Sequence, residues 1–383
     1  MRDVYIAGIG STVFGKHPER SLRDLGHEAC RAALDDCGIA RAAITAGFCG
    51  NALAPALQGE TTVGQNVFWE VGLAGIPVIN TENACASGST ALHLGWQAVT
   101  AGFHDAVIVA GVEKSVMPKG TPLKVGMAEL ETQLGDIFPG AFALIAQKHM
   151  AAFGTTVEQL AQVSVKNHFN GTLNPYAQFQ KPLTVEEVLA SPMIADPITL
   201  YSCCPNTDGA AALILCDEAT AKKTERPAVR VAASVLTSGT YDTGRDITGW
   251  EAEERCAALA YEQAGLGPED MDVIEVHDAF TISEIVHYEG LGLCPRGEGG
   301  RLIADGTTAL DGAQPVNPSG GLLSKGHPVA ASGVAQIVEI VEQLRGTAGK
   351  RQVAGARTGL AQIMGGAKDN DVRAATIHVL QKD

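Results

Sequence analysis

The chain has 383 residues, 45% of them apolar and 19% charged, and a formal net charge of −15. That length allows two core-bearing units, and that composition excludes a disordered or coiled-coil chain. The negative charge argues against binding nucleic acid or an anionic membrane surface, so an anionic substrate needs a local basic patch or a helix N-terminus.

Val4 to Gly8 reads as a short apolar strand, and this opening run is too short for a signal peptide. From Ser21 to Cys37, Leu22, Leu25, Ala29 and Ala33 share one stripe. With Ser21 as N-cap, Asp24 three residues on and Gly38 as a stop, the pattern predicts an amphipathic helix. The segment Asn80-Thr81-Glu82-Asn83-Ala84-Cys85-Ala86-Ser87-Gly88-Ser89 leads into a small-residue apolar helix predicted over Cys85 to Ala101. Ala106 to Gly111 predicts a buried strand.

From Glu113 to Cys204 the pattern changes. Two helical stretches, Phe138 to Phe153 and Val157 to Asn167, precede an irregular segment over 174–182. This reads as an inserted loop domain, the usual place for substrate contacts. Lys166 and His168 suit an anionic ligand there, although each taken singly reads more simply as a solvated helix end.

The second half repeats the first in outline. Pro227 to Val235 is a predicted strand, Trp250 to Ala264 a helix, Met271 to Val276 a strand and Phe280 to Leu291 a helix. The run from His327 then echoes the run from Cys85: a reactive residue, small residues, a glycine and an apolar helix. Two βαβ-rich halves of similar order indicate an internal duplication. No stretch reaches the ~18 apolar residues of a membrane-spanning helix. The nine cysteines are odd in number and show no C-x-x-C spacing. That argues against a disulfide framework or a four-cysteine zinc site, and points to a reducing cytoplasm.

Three segments carry chemistry. Cys85 is placed at a helix start, where the positive end of the macrodipole favours thiolate. His277 lies in Glu275-Val276-His277-Asp278-Ala279-Phe280, at a strand-to-helix junction where α/β folds gather catalytic groups. His327 lies in the run from Asn317 to Pro328, on a glycine-rich turn at a helix start. A histidine beside a thiol takes its proton. Backbone donors, such as the Cys85 amide and the late Gly365-Gly366 pair, suit the oxyanion of a thioester under attack.

The Asn-x-x-Cys-Ala-Ser-Gly, His-Asp-x-Phe and Asn-Pro-Ser-Gly-Gly…Lys-Gly-His-Pro segments resemble the thiolase superfamily in order and spacing, over nearly the whole chain. The His-Asp-x-Phe form, Asn174-Pro175-Tyr176-Ala177 and Asp208-Gly209-Ala210-Ala211 are similar to the sterol-carrier-protein type. The resemblance implies two duplicated βαβαβαββ halves in five α-β-α-β-α layers, residues 1–224 and 225–383, with the loop domain at about 113–204. It implies Cys85 as acyl-accepting nucleophile, His327 as the base that activates it, and His277 and the Gly365 backbone as parts of an oxyanion hole, with Gly366 beside them. Asn317, Ser324, Lys166 and His168 are the expected substrate or CoA contacts. CoA and acyl-CoA are expected as substrates, with no tightly bound cofactor and no metal. A homodimer is expected, as is a small zinc-binding OB-fold partner protein.

Two positions depart from the family pattern. The acid/base cysteine that handles the α-carbon proton is replaced by Ile363 at one of its usual places and by Ala279 at the other. His277 is the expected substitute, with Cys294 and the Cys203-Cys204 pair read as packing residues. The expected reaction is CoA-dependent cleavage of a 3-oxoacyl-CoA, or the reverse condensation, through acyl-Cys85. The alternatives are acyl transfer to a non-thiol acceptor, retro-aldol cleavage of a CoA thioester, and a non-catalytic lipid-carrier or scaffold role.

Overall fold

Side chains alternate across the two faces of the long strands, and that alternation sets the layers. The computed structural model describes residues 2–117, 130–135, 137–240, 244–368 and 371–382. The chain runs β1 (Val4–Ser11), α1 (Leu22–Cys37), β2 (Ala46–Gly50), α2 (Ala54–Leu57), α3 (Val63–Glu70), β3 (Val78–Thr81), α4 (Ser87–Thr100) and β4 (Ala106–Lys114). The next segment holds α5 (Leu130–Gln133), α6 (Phe138–Phe153), α7 (Val157–Thr172), α8 (Val185–Leu189) and a hairpin of β5 (Met193–Ala195) with β6 (Ile198–Thr199). Residues 118–129 and 136 of the expected loop domain lie outside the described residues. The chain then re-enters the main sheet with β7 (Asp208–Asp217) and α9 (Glu218–Ala221). The second half runs β8 (Val229–Thr237), α10 (Glu251–Ala264), β9 (Val273–Glu275), α11 (Thr281–Gly290), α12 (Gly299–Ala304), α13 (Val329–Arg345), β10 (Thr358–Lys368) and β11 (Asp371–Gln381).

Among the described residues the main sheet has the order β3-β2-β4-β7-β1-β8-β11-β10-β9. Its halves join where Tyr5 pairs Arg230 and Ile6 pairs Val229. Val316 adds a parallel bridge to Ile274 beyond β9. Counting that bridge as a strand and numbering within each half, both halves read 3-2-4-5-1. The duplication suggested by sequence layout is therefore present in strand order. Cys85 and His327 each follow the third strand of their half.

Along β4, Val107 and Val109 face inward, while Ile108, Ala110 and Val112 face the outer helices α1 and α3. β7 alternates likewise, with Leu213 and Leu215 inward and Ala212, Ile214 and Cys216 outward. On the far side of the second half, Cys256, Ala257 and Ala260 of α10 pack on Ala375, Ile377 and Val379 of β11. Between the halves lie α4 and α13, through Ala91, Leu92, Val334, Ile337 and Val338. Only Glu342 and Arg345 of α13 escape burial. Each buried Val, Ile or Leu there stabilises by about 1.5–3 kcal/mol. The architecture is the mixed α/β thiolase fold that the motifs led us to expect.

Two glycines let the centre close. A Cβ on Gly88 would lie 2.2 Å from the Ala330 carbonyl oxygen, and one on Gly111 2.5 Å from it. The N-termini of α4 and α13 thus meet beside the end of β4.

Ser21 caps α1 with a capping box closed by Asp24, and Gly38 ends it at φ 73°, as the sequence indicates. Two expectations need correction. The helix predicted from Cys85 begins at Ser87, with Ala86 as N-cap, so Cys85 lies in the preceding turn. The helix predicted over Val157–Asn167 continues to Thr172, which puts Lys166 and His168 inside α7, both buried rather than at a solvated end.

Candidate active site

The turn between β3 and α4 holds the sulfur out from both elements. Ser87 Oγ donates to the Ala84 carbonyl (2.6 Å) and accepts the Asn83 N–H (2.9 Å), and the Ala86 N–H reaches the Asn83 carbonyl (3.0 Å). Ala84 adopts left-handed φ 48°, which costs a non-glycine residue about 1–3 kcal/mol and is retained where surrounding contacts enforce it. Gly365 of β10 lies against this turn. A Cβ there would sit 2.0 Å from the Asn83 carbonyl oxygen and 2.9 Å from the Ala86 nitrogen. Gly366 follows at φ 65°, close to the Arg373 side chain.

His327 comes from the other half, in the loop before α13. Its N–H donates to Thr207 Oγ1 (3.0 Å). Its Nδ1 lies 2.8 Å from Ser332 Oγ, and its Nε2 lies 3.2 Å from Cys85 Sγ. For Nε2 to take a proton from sulfur, Nδ1 must carry the ring hydrogen and donate it to Ser332.

His277 sits between β9 and α11. Its N–H donates to Gln362 Oε1 (3.0 Å), and its carbonyl accepts from His287 Nε2 (3.0 Å). The backbone is therefore fixed while the ring is not: neither ring nitrogen has a partner among the described residues, although the residue is buried. Its ring centroid is 5.3 Å from that of His327. One donor atom each from Cys85, His277 and His327 lie within 4.8 Å of one another. Such a group would also hold a soft divalent cation.

Asp278 clamps the neighbouring loop. It accepts from the N–H groups of Leu322 (2.6 Å) and Leu323 (3.2 Å) and from Asn167 Nδ2 (2.7 Å). A Cβ at Gly321 would meet Asp278 Oδ2 at 2.2 Å, so this loop approaches as only glycine allows.

Burial dominates the electrostatics. The Cys85 residue keeps some exposure, but protein encloses its sulfur. Burial pushes the thiol up to about 12, with the Glu113 and Glu82 charges adding to it. Burial holds His327 down to about 3, and holds His277 well below its ordinary range with help from His327 and His287. The resting pair is a neutral thiol and a neutral imidazole. This corrects the expectation of a sulfur ionised by a helix dipole: Cys85 precedes the helix, and desolvation outweighs the dipole. Glu113 itself is raised to about 7 by burial, against hydrogen bonds from Asn51 Nδ2 and the N–H groups of Ala52, Leu53 and Ala330.

The other expected contact residues are engaged within the fold. Lys166 Nζ donates to the Val316 carbonyl (2.6 Å) and pairs with Glu284 (2.8 Å), which leaves no spare charge for an anion. His168 stacks on Phe179 and is held down to about 4 by burial, so it brings no cation. Asn317 donates to Glu284 Oε2 (2.7 Å) and accepts the Val276 N–H (2.9 Å). Ser324 Oγ donates to the Phe179 carbonyl (2.9 Å). All four hold the loop segments together within the fold.

Sequence reasoning passed over Ser332, Thr207, Gln362 and Glu113. Ser332 had a signal, five residues after His327 on the first turn of an apolar helix. The others act across the fold and carry no local mark.

The sequence matches the family description "Thiolase, N-terminal domain" over residues 4–219 and "Thiolase C-terminal domain-like" over 233–381. The chain belongs to the thiolase family. An acetyl-CoA acetyltransferase of Methanothermobacter thermautotrophicus is 44% identical to this thiolase over 387 residues, covering 100% of both chains. The benzoylsuccinyl-CoA thiolase subunit BbsB of Thauera aromatica is 43% identical over 351 residues, covering 90% of this thiolase and 89% of the relative. Among solved structures, the Ltp2-ChsH2(DUF35) aldolase superposes with a TM-score of 0.86 at 25% identity, over 100% of this thiolase and 98% of that chain. As a thiolase it is an enzyme of the acyl-transfer class. Among its described residues no helix is long and apolar enough to cross a membrane.

Proposed function

We propose that this thiolase cleaves a 3-oxoacyl-CoA with CoA, or runs the reverse condensation, through an acyl-Cys85 intermediate. The observation that carries the reading is the 3.2 Å contact between Cys85 Sγ and His327 Nε2. His327 takes the thiol proton as the sulfur adds to the substrate carbonyl, and the tetrahedral oxyanion collapses to a thioester. A neutral His277 has a ring N–H free to donate to a substrate oxygen. Gly365 lies against the Asn83–Ala86 turn that carries Cys85, and the backbone N–H groups of Cys85 and Gly365 supply further donors, each typically worth roughly 2.7–4 kcal/mol. CoA is a substrate in this scheme.

Two observations favour a second reading, retro-aldol cleavage: the usual acid/base cysteine positions hold Ala279 and Ile363, and an aldolase is among the similar structures. The Cys85–His327 contact supports acyl transfer, since a retro-aldol step needs no thiol nucleophile. Incubation with acetyl-CoA followed by peptide mass spectrometry distinguishes them. An acetyl adduct on Cys85, absent from Cys85→Ala, supports the proposal; product release without added CoA and without an adduct overturns it. A homodimer and a zinc-binding OB-fold partner belong to this proposal. The subunit name of the Thauera relative and the two-component title of the aldolase support a partner.

A further inference from the structure

Acyl transfer to Cys85 leaves one proton unaccounted for. Carbon–carbon cleavage makes a carbanion at the α-carbon, which must be protonated as it departs. Position 279 carries a methyl group, and Ile363 packs with Ala86, Ala374 and Cys85 as plain apolar filling.

The segment from Cys203 to Thr207 runs beside the Ala279 position. The Cys204 N–H donates to the Ala279 carbonyl (2.9 Å). Cys203 forms a bridge with Phe280, and Asn206 forms one with His327. The backbone of Cys204 is thus pinned between the two histidine-bearing segments. The two thiols of the pair differ. Cys203 Sγ donates to the Thr199 carbonyl (3.4 Å), whereas among the described residues the Cys204 thiol bonds to no carbonyl. Cys204 retains partial exposure, and it lies within electrostatic reach of both Cys85 and Asp278. Cys294 is elsewhere, among Glu289, Glu298 and Arg301 beyond the C-terminal end of α11. His277, with both ring nitrogens unpartnered and buried, marks the same space as built for a ligand.

We propose that Cys204, its backbone pinned to Ala279 between the two histidine-bearing segments, is the acid/base group that delivers and removes the α-carbon proton. This rests on the acyl-Cys85 reading and assigns the step which that reading leaves open. It replaces His277, which serves the oxyanion. The bookkeeping closes for thiolysis. His327 Nε2 takes the Cys85 proton, sulfur adds to the keto carbonyl, and the bond between that carbon and the α-carbon breaks. The released electron pair takes the proton of the Cys204 thiol, leaving the CoA ester that carries the α-carbon, the shortened acyl group on Cys85 and a Cys204 thiolate. CoA then gives its thiol proton to Cys204 and attacks acyl-Cys85. The carbon–sulfur bond to Cys85 breaks, and Cys85 recovers its proton from His327. Condensation is the same sequence reversed.

The test separates the two half-reactions in the full chain. Cys204→Ala, Cys204→Ser and Cys203→Ala are incubated with trideuterated acetyl-CoA; acetyl-Cys85 is followed by peptide mass spectrometry, and loss of deuterium to water by the mass of the recovered acetyl-CoA. The expected result is normal acylation of Cys85 in all three. Deuterium exchange and thiolysis fall on the order of 10²–10⁴-fold in both Cys204 variants, the usual weight of one acid/base group, and Cys203→Ala behaves as wild type. Exchange at the wild-type rate in Cys204→Ala overturns the assignment. Loss of acylation together with exchange in both Cys204 variants overturns it too, since the residue then serves the acyl step or the fold. Absence of both signals from the wild type fails the acyl-Cys85 reading itself, and this assignment with it.

Discussion

Cys85 Sγ and His327 Nε2 lie 3.2 Å apart, brought together from opposite halves of a duplicated chain. The contact joins two neutral groups, because burial raises the thiol to about 12 and lowers the imidazole to about 3. A preformed thiolate–imidazolium pair would react with alkylating agents at a constant rate from mildly acidic to neutral pH. Here the Cys85 alkylation rate should keep rising through pH 9 and beyond, with no plateau near neutrality. Iodoacetamide labelling followed by peptide mass spectrometry across pH 6–10, a range set around the ordinary thiol value, checks this. A plateau below pH 7 would show the sulfur already ionised.

Ser332 fixes which nitrogen of His327 faces sulfur. Its Oγ accepts from Nδ1 at 2.8 Å, which leaves Nε2 free as the base. Ser332→Ala removes a bond worth about 1 kcal/mol, so turnover should fall about fivefold with little change in KM. Ser332→Thr, which keeps the hydroxyl, should recover part of the loss. Steady-state kinetics on both variants, with thermal melts to show an intact fold, decide the point. A wild-type kcat in Ser332→Ala would remove Ser332 from the arrangement.

How much of this was legible depends on the distance over which each feature is specified. The bounds of α1 could be read because Ser21, Asp24 and Gly38 cap it from within the same twenty residues. Phe138–Phe153 could be read for a similar reason, since a glycine stops it. The displacement of Cys85 from the start of α4 could not, because it depends on Ala84 at positive φ, held by Ser87 and pressed by Gly365 from a distant strand. Lys166 and His168 looked solvent-facing because their partners, Val316 with Glu284 and Phe179, are set by tertiary packing. The protonation of Cys85 was misjudged for the same reason: a helix dipole is a local argument, and enclosure is a global one.

Gly365 tests the fit between β10 and the nucleophile turn. An added Cβ would lie 2.0 Å from the Asn83 carbonyl oxygen, a backbone atom that no side-chain rotation can move aside. Gly365→Ala should therefore lower stability by about 1–3 kcal/mol, the usual cost of overpacking, and shift the sulfur away from His327. Urea unfolding and Cys85 acylation measured on the same preparation are expected to fall together. Normal acylation in a destabilised protein would mean the turn moves as a unit and keeps its catalytic contact.

The three donors around the sulfur make the site a trap for soft cations. Donor atoms of Cys85, His277 and His327 lie within 4.8 Å of one another, and both imidazoles are neutral. Added Zn²⁺ should inhibit by taking the thiolate and both rings as ligands, with chelator restoring activity. His277→Ala removes one ligand and should weaken inhibition, read as residual activity against Zn²⁺ concentration. Inhibition of equal strength in His277→Ala would place the metal elsewhere.

The Glu113 carboxyl, raised to about 7 by burial, gives a stability signature with a definite sign. Its folded value lies above the ordinary carboxylate range, so between about pH 4.5 and 7 the folded protein holds a proton that the unfolded chain has released. This group's contribution is therefore greatest at the acidic end of that window and is lost as pH rises through it. Glu113→Gln cannot ionise. Its penalty, from imperfect pairing of the donors at Asn51, Ala52, Leu53 and Ala330, should be largest near pH 5 and smaller near pH 8, by as much as a few kcal/mol. Urea denaturation of both proteins at the two pH values measures the difference. The same substitution removes a charge that opposes thiolate formation at Cys85, so alkylation of Cys85 at pH 8 should speed up. A penalty independent of pH would show that Glu113 is ionised throughout, paired with a group outside this set of donors.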